Sequence, residues 1–229
     1  ARAARQCELA DGVFSLLYGS GREVGIALVS DTRIKAVGFT GSRSGGIALC
    51  QTAAARAEPI PVYAEMSSIN PVFLFPAALQ ARGDALAQGF IASLTQGAGQ
   101  FCTNPGLVIA RQGPDLDSFI ASAAQHIWQS KAQTMLTPGI YSAYRSGIEA
   151  LSDNPHAETA AAGLAADGPN QCQTHLFVAT ARDFLADENL QAEVFGCASL
   201  VVTCATDAEI HQVAEHLEGQ LTATLHLDD

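Results

Sequence analysis

Short apolar runs alternate with longer amphipathic or alanine-rich stretches along most of the chain. VFSLLYG (13–19) has the length and unbroken apolar character of a buried strand, and the glycine-spaced segment from Arg22 to Ser30 reads as a helix, which makes a first βα unit. KAVGFTG (35–41) is an apolar strand stopped by glycine, followed by GGIALCQTAAARA (45–57), whose alanines favour a helix. PVYAEM and PVFLF are short and rich in β-branched or aromatic residues; they open at Pro61 and Pro71 and flank a turn, SSIN. Beyond them the pattern predicts a helix over 82–96, a strand over 106–110, helices over 115–131 and 138–151, and strands over 175–180 and 199–205. A helix over 206–218 and a strand, LTATLHL, complete it, and the alanine- and glycine-rich stretch 157–171 is expected to be an exposed loop. Strands that alternate with helices in this way predict an α/β fold with a largely parallel sheet.

Composition narrows the range of partners. The chain has 229 residues, enough for one large domain or two small ones, and 48% of them are hydrophobic. Twelve Lys and Arg against 23 Asp and Glu leave a formal charge of -11, which repels nucleic-acid phosphates and anionic lipid headgroups. No apolar run has the length of a bilayer-spanning helix and the start lacks a signal-peptide core, so a cytoplasmic location is expected. Cysteines at 7, 50, 102, 172, 197 and 204 form no Cys-x-x-Cys pair and are expected to be reduced and mostly buried. Cys172-x-x-His175 and the His211/His216 spacing suggest a metal only weakly, because no second cysteine pair completes a zinc site and five residues do not align two ligands on one helix face.

Three segments carry chemistry-bearing residues in a fixed order: VGFTGSRSGG (37–46), VYAEMSSINP (62–71) and GAGQFCTNPG (97–106). A glycine-serine turn between strand and helix presents backbone amides and a helix N-terminus, which suit a phosphate or a cofactor, although the same sequence also serves as a plain tight turn. A glutamate closing an apolar strand has a raised pKa if it is buried and can then act as a base, whereas an exposed strand-end glutamate cannot be told from it by sequence. A cysteine is a nucleophile as the thiolate, but by composition alone Cys102 would be a buried structural thiol.

With AEVFG (192–196) as a fourth match, these segments together resemble the NAD(P)-dependent aldehyde dehydrogenase superfamily, whose chains run Phe-Thr-Gly-Ser, Glu-Leu-Gly-Gly-x-Asn-Pro, Gly-Gln-x-Cys and Glu-x-Phe-Gly-Pro. QFCTNPG and EMSSINP are most similar to the α-ketoglutaric semialdehyde dehydrogenases and related bacterial fatty-aldehyde enzymes. The resemblance implies an aldehyde dehydrogenase-like fold, with the second part of a dinucleotide-binding domain over 1–65 and a cysteine-bearing catalytic domain over 66–229. It implies that Cys102 is the nucleophile and Glu65 the base that activates water. Phe39, Gly41, Ser42, Glu193 and Phe195 would contact NADP or NAD, and Gly21 and Gly25 would lie in the glycine-containing turn near the pyrophosphate. For Gly21 and Gly25 helix packing explains the spacing equally well. A small aldehyde is the implied substrate, and a homo-oligomer is the implied state of the full-length protein.

Met66, Ser67 and Ser68 depart from the family's Leu-Gly-Gly, and Cys197 stands where its proline would be, which would place a second thiol near the cofactor cleft. Family members are about twice this long. The resemblance therefore predicts that the 229 residues alone are a poor dehydrogenase, lacking an oxyanion-hole asparagine, and that apolar faces are left exposed. The alternative is a folded or oligomerisation module without turnover.

Overall fold

The computed structural model describes residues 2–19 and 21–228. The chain divides into two compact units between Ser67 and Ser68, two residues beyond the boundary expected from sequence.

In the first unit, α1 (Arg2–Gln6) precedes α2 (Gly21–Ser30), β1 (Val37–Thr40), α3 (Arg43–Ala54) and β2 (Val62–Glu65). β1 and β2 pair in parallel, with Thr40 opposite Glu65. Val29 of α2 and Ala53 of α3 are buried, and Arg56 Nη1 donates to the Val29 carbonyl at 2.9 Å, satisfying an orphan acceptor at the end of α2. Residues 13–19, expected to be a buried strand, form none, and Phe14, Leu16, Leu17 and Tyr18 are exposed. An apolar run becomes a strand only where a neighbour takes its backbone hydrogen bonds, and the sheet of this unit consists of β1 and β2.

In the second unit, the elements in chain order are β3 (Pro71–Leu74), α4 (Pro76–Thr95), β4 (Leu107–Arg111), α5 (Pro114–Trp128), β5 (Gln133–Thr134), α6 (Pro138–Ser152), β6 (Glu158–Ala162), β7 (Gln171–Cys172), β8 (His175–Thr180), α7 (Ala181–Ala186), β9 (Ala198–Cys204), α8 (Asp207–His216) and β10 (Thr224–His226). Six of the strands make one sheet in the order β10-β3-β4-β9-β8-β6, parallel except for the antiparallel edge strand β6. The stretch 157–171 is thus not a loop throughout, because Glu158–Ala162 pairs along β8. Alanine carries no strand signal, and here the open edge of β8 supplies the hydrogen bonds that fix it.

Strand alternation gives the sheet two apolar faces. Val108, Leu176 and Val201 point to one face and pack with Leu86 and Ile91 of α4 and Phe119 and Ile127 of α5. Leu107, Ile109, Phe177, Leu200 and Val202 point to the other and pack with Phe184 of α7 and Ile210 and Val213 of α8. α4 and α5 lie side by side, with the Phe90 and Phe119 rings 5.9 Å apart. Backbone alternation thus makes a three-layer α/β/α sandwich, whose strand ends and connecting loops carry the residues discussed next.

Candidate active site

The first unit brings Phe39, Gly41, Ser42 and Glu65 together at the carboxyl ends of its two parallel strands. The Gly41 amide donates to the Glu65 carbonyl at 3.1 Å, continuing the ladder one residue past β1. Ser42 is the N-cap of α3, and its Oγ accepts from the Gly45 amide at 3.3 Å. The Phe39 ring lies over this turn so closely that a Cβ on Gly41 would stand 2.7 Å from its Cζ. Met66, at a departure from the family pattern, covers the next turn, where a Cβ on Gly46 would stand 2.6 Å from its Sδ. An open groove runs along Gly38, Phe39, Thr40, Tyr63, Ala64 and Glu65. Glu65 is exposed, so this unit does not supply the burial expected of it.

Gly21 and Gly25 differ in their surroundings. Gly21 opens α2 with nothing within 4 Å of its Cβ direction, whereas Gly25 faces Leu49 of α3 at 3.8 Å. The second therefore lies where α2 packs on α3.

In the second unit, Cys102 sits exposed on the loop between α4 and β4. Three successive residues, Gly97, Ala98 and Gly99, adopt positive φ of 56°, 59° and 66°, coiling the chain tightly ahead of the cysteine. Two glutamines hold this coil. Gln133 accepts from the Ala98 amide at 3.1 Å and donates to the Thr95 carbonyl at 2.7 Å, while Gln100 accepts from the Leu136 amide at 2.9 Å.

The loop is fastened beneath Cys102 by Asn70, which the sequence placed in a turn and in the EMSSINP motif without giving it a role. Asn70 is buried at φ 47°, and its Nδ2 donates to the carbonyls of Cys102 and Asn104, both at 2.9 Å. Its Oδ1 receives Thr222 Oγ1 at 3.0 Å and lies 2.9 Å from Ser68 Oγ. Two carbonyls on one side and two hydroxyls on the other fix the amide's orientation. Gln220 closes the turn, its Oε1 accepting from the amides of Ile69 at 2.8 Å and Asn70 at 3.3 Å.

The two later motifs meet at a backbone contact. A Cβ on Gly99 would stand 2.3 Å from the Gly196 carbonyl carbon, and Asn104 Nδ2 donates to the Gly196 carbonyl oxygen at 2.9 Å. Glu193 Oε1 accepts from the Ser68 amide at 3.3 Å, and Glu193 and Phe195 border a small pocket with Ser68, Asn104 and Gly106. Cys197 is buried with Cys172, Met135 and Tyr144 rather than opening on a cleft. Cys7 and Cys102 are exposed, Cys50 is half-buried, and Cys172, Cys197 and Cys204 are buried, so the thiols are less uniformly interior than expected.

The order of the motifs, the glycine contact between two of them and the cysteine loop agree with a family model described as "Aldehyde dehydrogenase family", which matches residues 1–229. The chain belongs to the aldehyde dehydrogenase family. It is 58% identical over 217 residues to alpha-ketoglutaric semialdehyde dehydrogenase 2 of Azospirillum brasilense, covering 95% of this chain and 41% of that protein. It is 42% identical over 219 residues to alpha-ketoglutaric semialdehyde dehydrogenase of Acinetobacter baylyi, again covering 95% of this chain and 41% of the relative. Among solved structures, a NAD-dependent aldehyde dehydrogenase from Sinorhizobium meliloti has the same fold, with a TM-score of 0.83 at 22% identity, over 100% of this chain and 46% of that one. The chain thus spans less than half the length of these aldehyde dehydrogenases.

Proposed function

We propose that the protein containing this chain oxidises α-ketoglutaric semialdehyde, or a closely related small aldehyde, to the carboxylate with NADP or NAD, and that Cys102 is the nucleophile. The observation that carries this reading is an exposed thiol on a loop whose carbonyl oxygen, three-residue left-handed coil and flanking Asn104 are each held by hydrogen bonds from elsewhere in the unit. A loop fixed in this way suits a reaction that needs its nucleophile at one place. The 58% identity to an α-ketoglutaric semialdehyde dehydrogenase supports the substrate.

In this reading the Cys102 thiolate adds to the aldehyde carbon to give a thiohemiacetal, whose collapse expels hydride and leaves a thioester. Bound NAD(P) supplies the hydride acceptor. Glu65 takes a proton from the water that attacks the thioester, which returns the thiolate and releases the acid. The residues present fit a dinucleotide: the Gly41–Ser42 turn ends a parallel strand and opens the 12-residue helix α3, and Gly21 leaves the start of α2 uncovered. Phe39, Glu193 and Phe195 would then line the nicotinamide end. No helix among the described residues is long and apolar enough to cross a membrane, and the net charge of -11 disfavours nucleic acid. We place the full-length protein in the cytoplasm as a homo-oligomer; the exposed apolar residues Leu16, Leu17 and Tyr18 are compatible with further contacts there.

The test is reduction of NAD and of NADP by the full-length protein with α-ketoglutaric semialdehyde and a panel of other aldehydes. Aldehyde-dependent reduction of either cofactor is expected, fastest with the semialdehyde. Absence of turnover with every aldehyde would overturn the assignment.

A further inference from the structure

Two buried thiols outside the proposed chemistry lie together. Cys172 belongs to the two-residue strand β7 and Cys197 follows Gly196; both fall in one small cluster with Ala98, Met135, Tyr144 and Ala198. Each thiol is the strongest influence on the other's ionisation, and both are free. Contact with Cys197 holds the Cys172 thiol down to about 7, helped by the Gln133 backbone, while the same contact and burial push Cys197 up. Within the pair, Cys172 is thus the thiol that ionises more readily.

We propose that Cys172 and Cys197 form a reversible disulfide under peroxide, a modification site separate from Cys102. Access comes through the β5–β7 ribbon, which has only two residue pairs, stands outside the six-stranded sheet and follows the loop 163–170. So short a ribbon opens locally at low cost, admitting a molecule as small as hydrogen peroxide to Cys172. The Cys172 thiolate attacks one peroxide oxygen and breaks the O–O bond; the departing hydroxide takes a proton and leaves as water, with a sulfenic acid on Cys172. The Cys197 sulfur then displaces that hydroxyl, its own proton leaving with it as a second water, and the S–S bond forms. Two thiols lose two electrons in total and one peroxide becomes two waters. The bond ties β7 to the segment that begins at Gly196, whose carbonyl holds Asn104 two residues from Cys102.

The test is a peptide mass map of the full-length protein after hydrogen peroxide and an alkylating quench under denaturing conditions, read without reduction. A linked peptide pair carrying Cys172 and Cys197 is expected, lost on treatment with dithiothreitol and formed about tenfold faster at pH 8 than at pH 6, as thiolate control predicts. A Cys197→Ser variant should instead leave Cys172 as a sulfenic acid that dimedone traps. Recovery of both residues as free thiols while Cys102 is oxidised, or linkage of either one to another cysteine, would overturn the proposal. Because the readout is a mass, the result does not depend on whether the protein oxidises aldehydes.

Discussion

Asn70 and Cys102, 32 residues apart in sequence, are joined by a hydrogen bond of 2.9 Å from the Asn70 side-chain amide to the Cys102 carbonyl. The same amide donates to Asn104, so one buried side chain fixes the backbone on both sides of Thr103. Replacement of Asn70 by Ala leaves two acceptors without this donor and puts alanine at positive φ. A loss of about 1–3 kcal/mol in urea unfolding is expected, with a fall in dehydrogenase turnover. Asn70→Asp should also lower turnover, because a carboxylate offers no donor to either carbonyl.

Gly99 and Gly89 make a matched pair. At Gly99 a Cβ would meet the Gly196 backbone at 2.3 Å with φ at +66°, so Gly99→Ala should cost several kcal/mol or prevent folding. Gly89 lies inside α4 with nothing within 4 Å of its Cβ direction, and Gly89→Ala should stabilise by about 1 kcal/mol. Thermal melts of the two variants check both expectations.

Thiol reactivity should follow exposure. Brief iodoacetamide treatment of the native protein at pH 8 is expected to label Cys7 and Cys102 and to spare Cys197 and Cys204. Burial, with Glu209 nearby, pushes Cys204 up to about 12, so almost none of it is thiolate at that pH. Peptide mapping reads the outcome, and labelling of Cys204 ahead of Cys102 would contradict it.

Asp187 is held below the usual carboxylate range, first by Asn154 Nδ2 at 2.7 Å and then by the Asn189 amide at 2.9 Å. A carboxylate depressed in the folded state stabilises above its ordinary pKa and loses that contribution as pH falls through the folded value. Asp187→Asn should therefore be less stable than the parent at pH 7, and the gap should close below about pH 4. Urea midpoints across that range would show it.

The alternation of β4, β8 and β9 with α5 and α8 was legible because each strand is apolar on both faces and each helix follows a turn or cap residue. β8 occupies 175–180, as its pattern predicts. What periodicity missed depends on neighbours: residues 13–19 have strand character but no ladder, whereas 158–162 lack it and gain a ladder from β8. The cysteine loop was legible as a motif, but its fastenings were not. Asn70, Gln133 and Gln220 act across 32, 35 and 151 residues through single side-chain amides, and no spacing rule encodes such contacts. Glu65 shows the converse, since an apolar strand before it suggested burial that the two-stranded sheet does not supply.

In the proposed reaction Cys102 carries the acyl group. The most direct measurement is mass analysis of the full-length protein quenched in acid during turnover with α-ketoglutaric semialdehyde and cofactor, alongside a Cys102→Ala variant. A thioester mass is expected on the peptide containing Cys102, with turnover lower by about a thousandfold or more in the variant. Near-normal turnover without the Cys102 thiol, or an acyl group on a different residue, would contradict it.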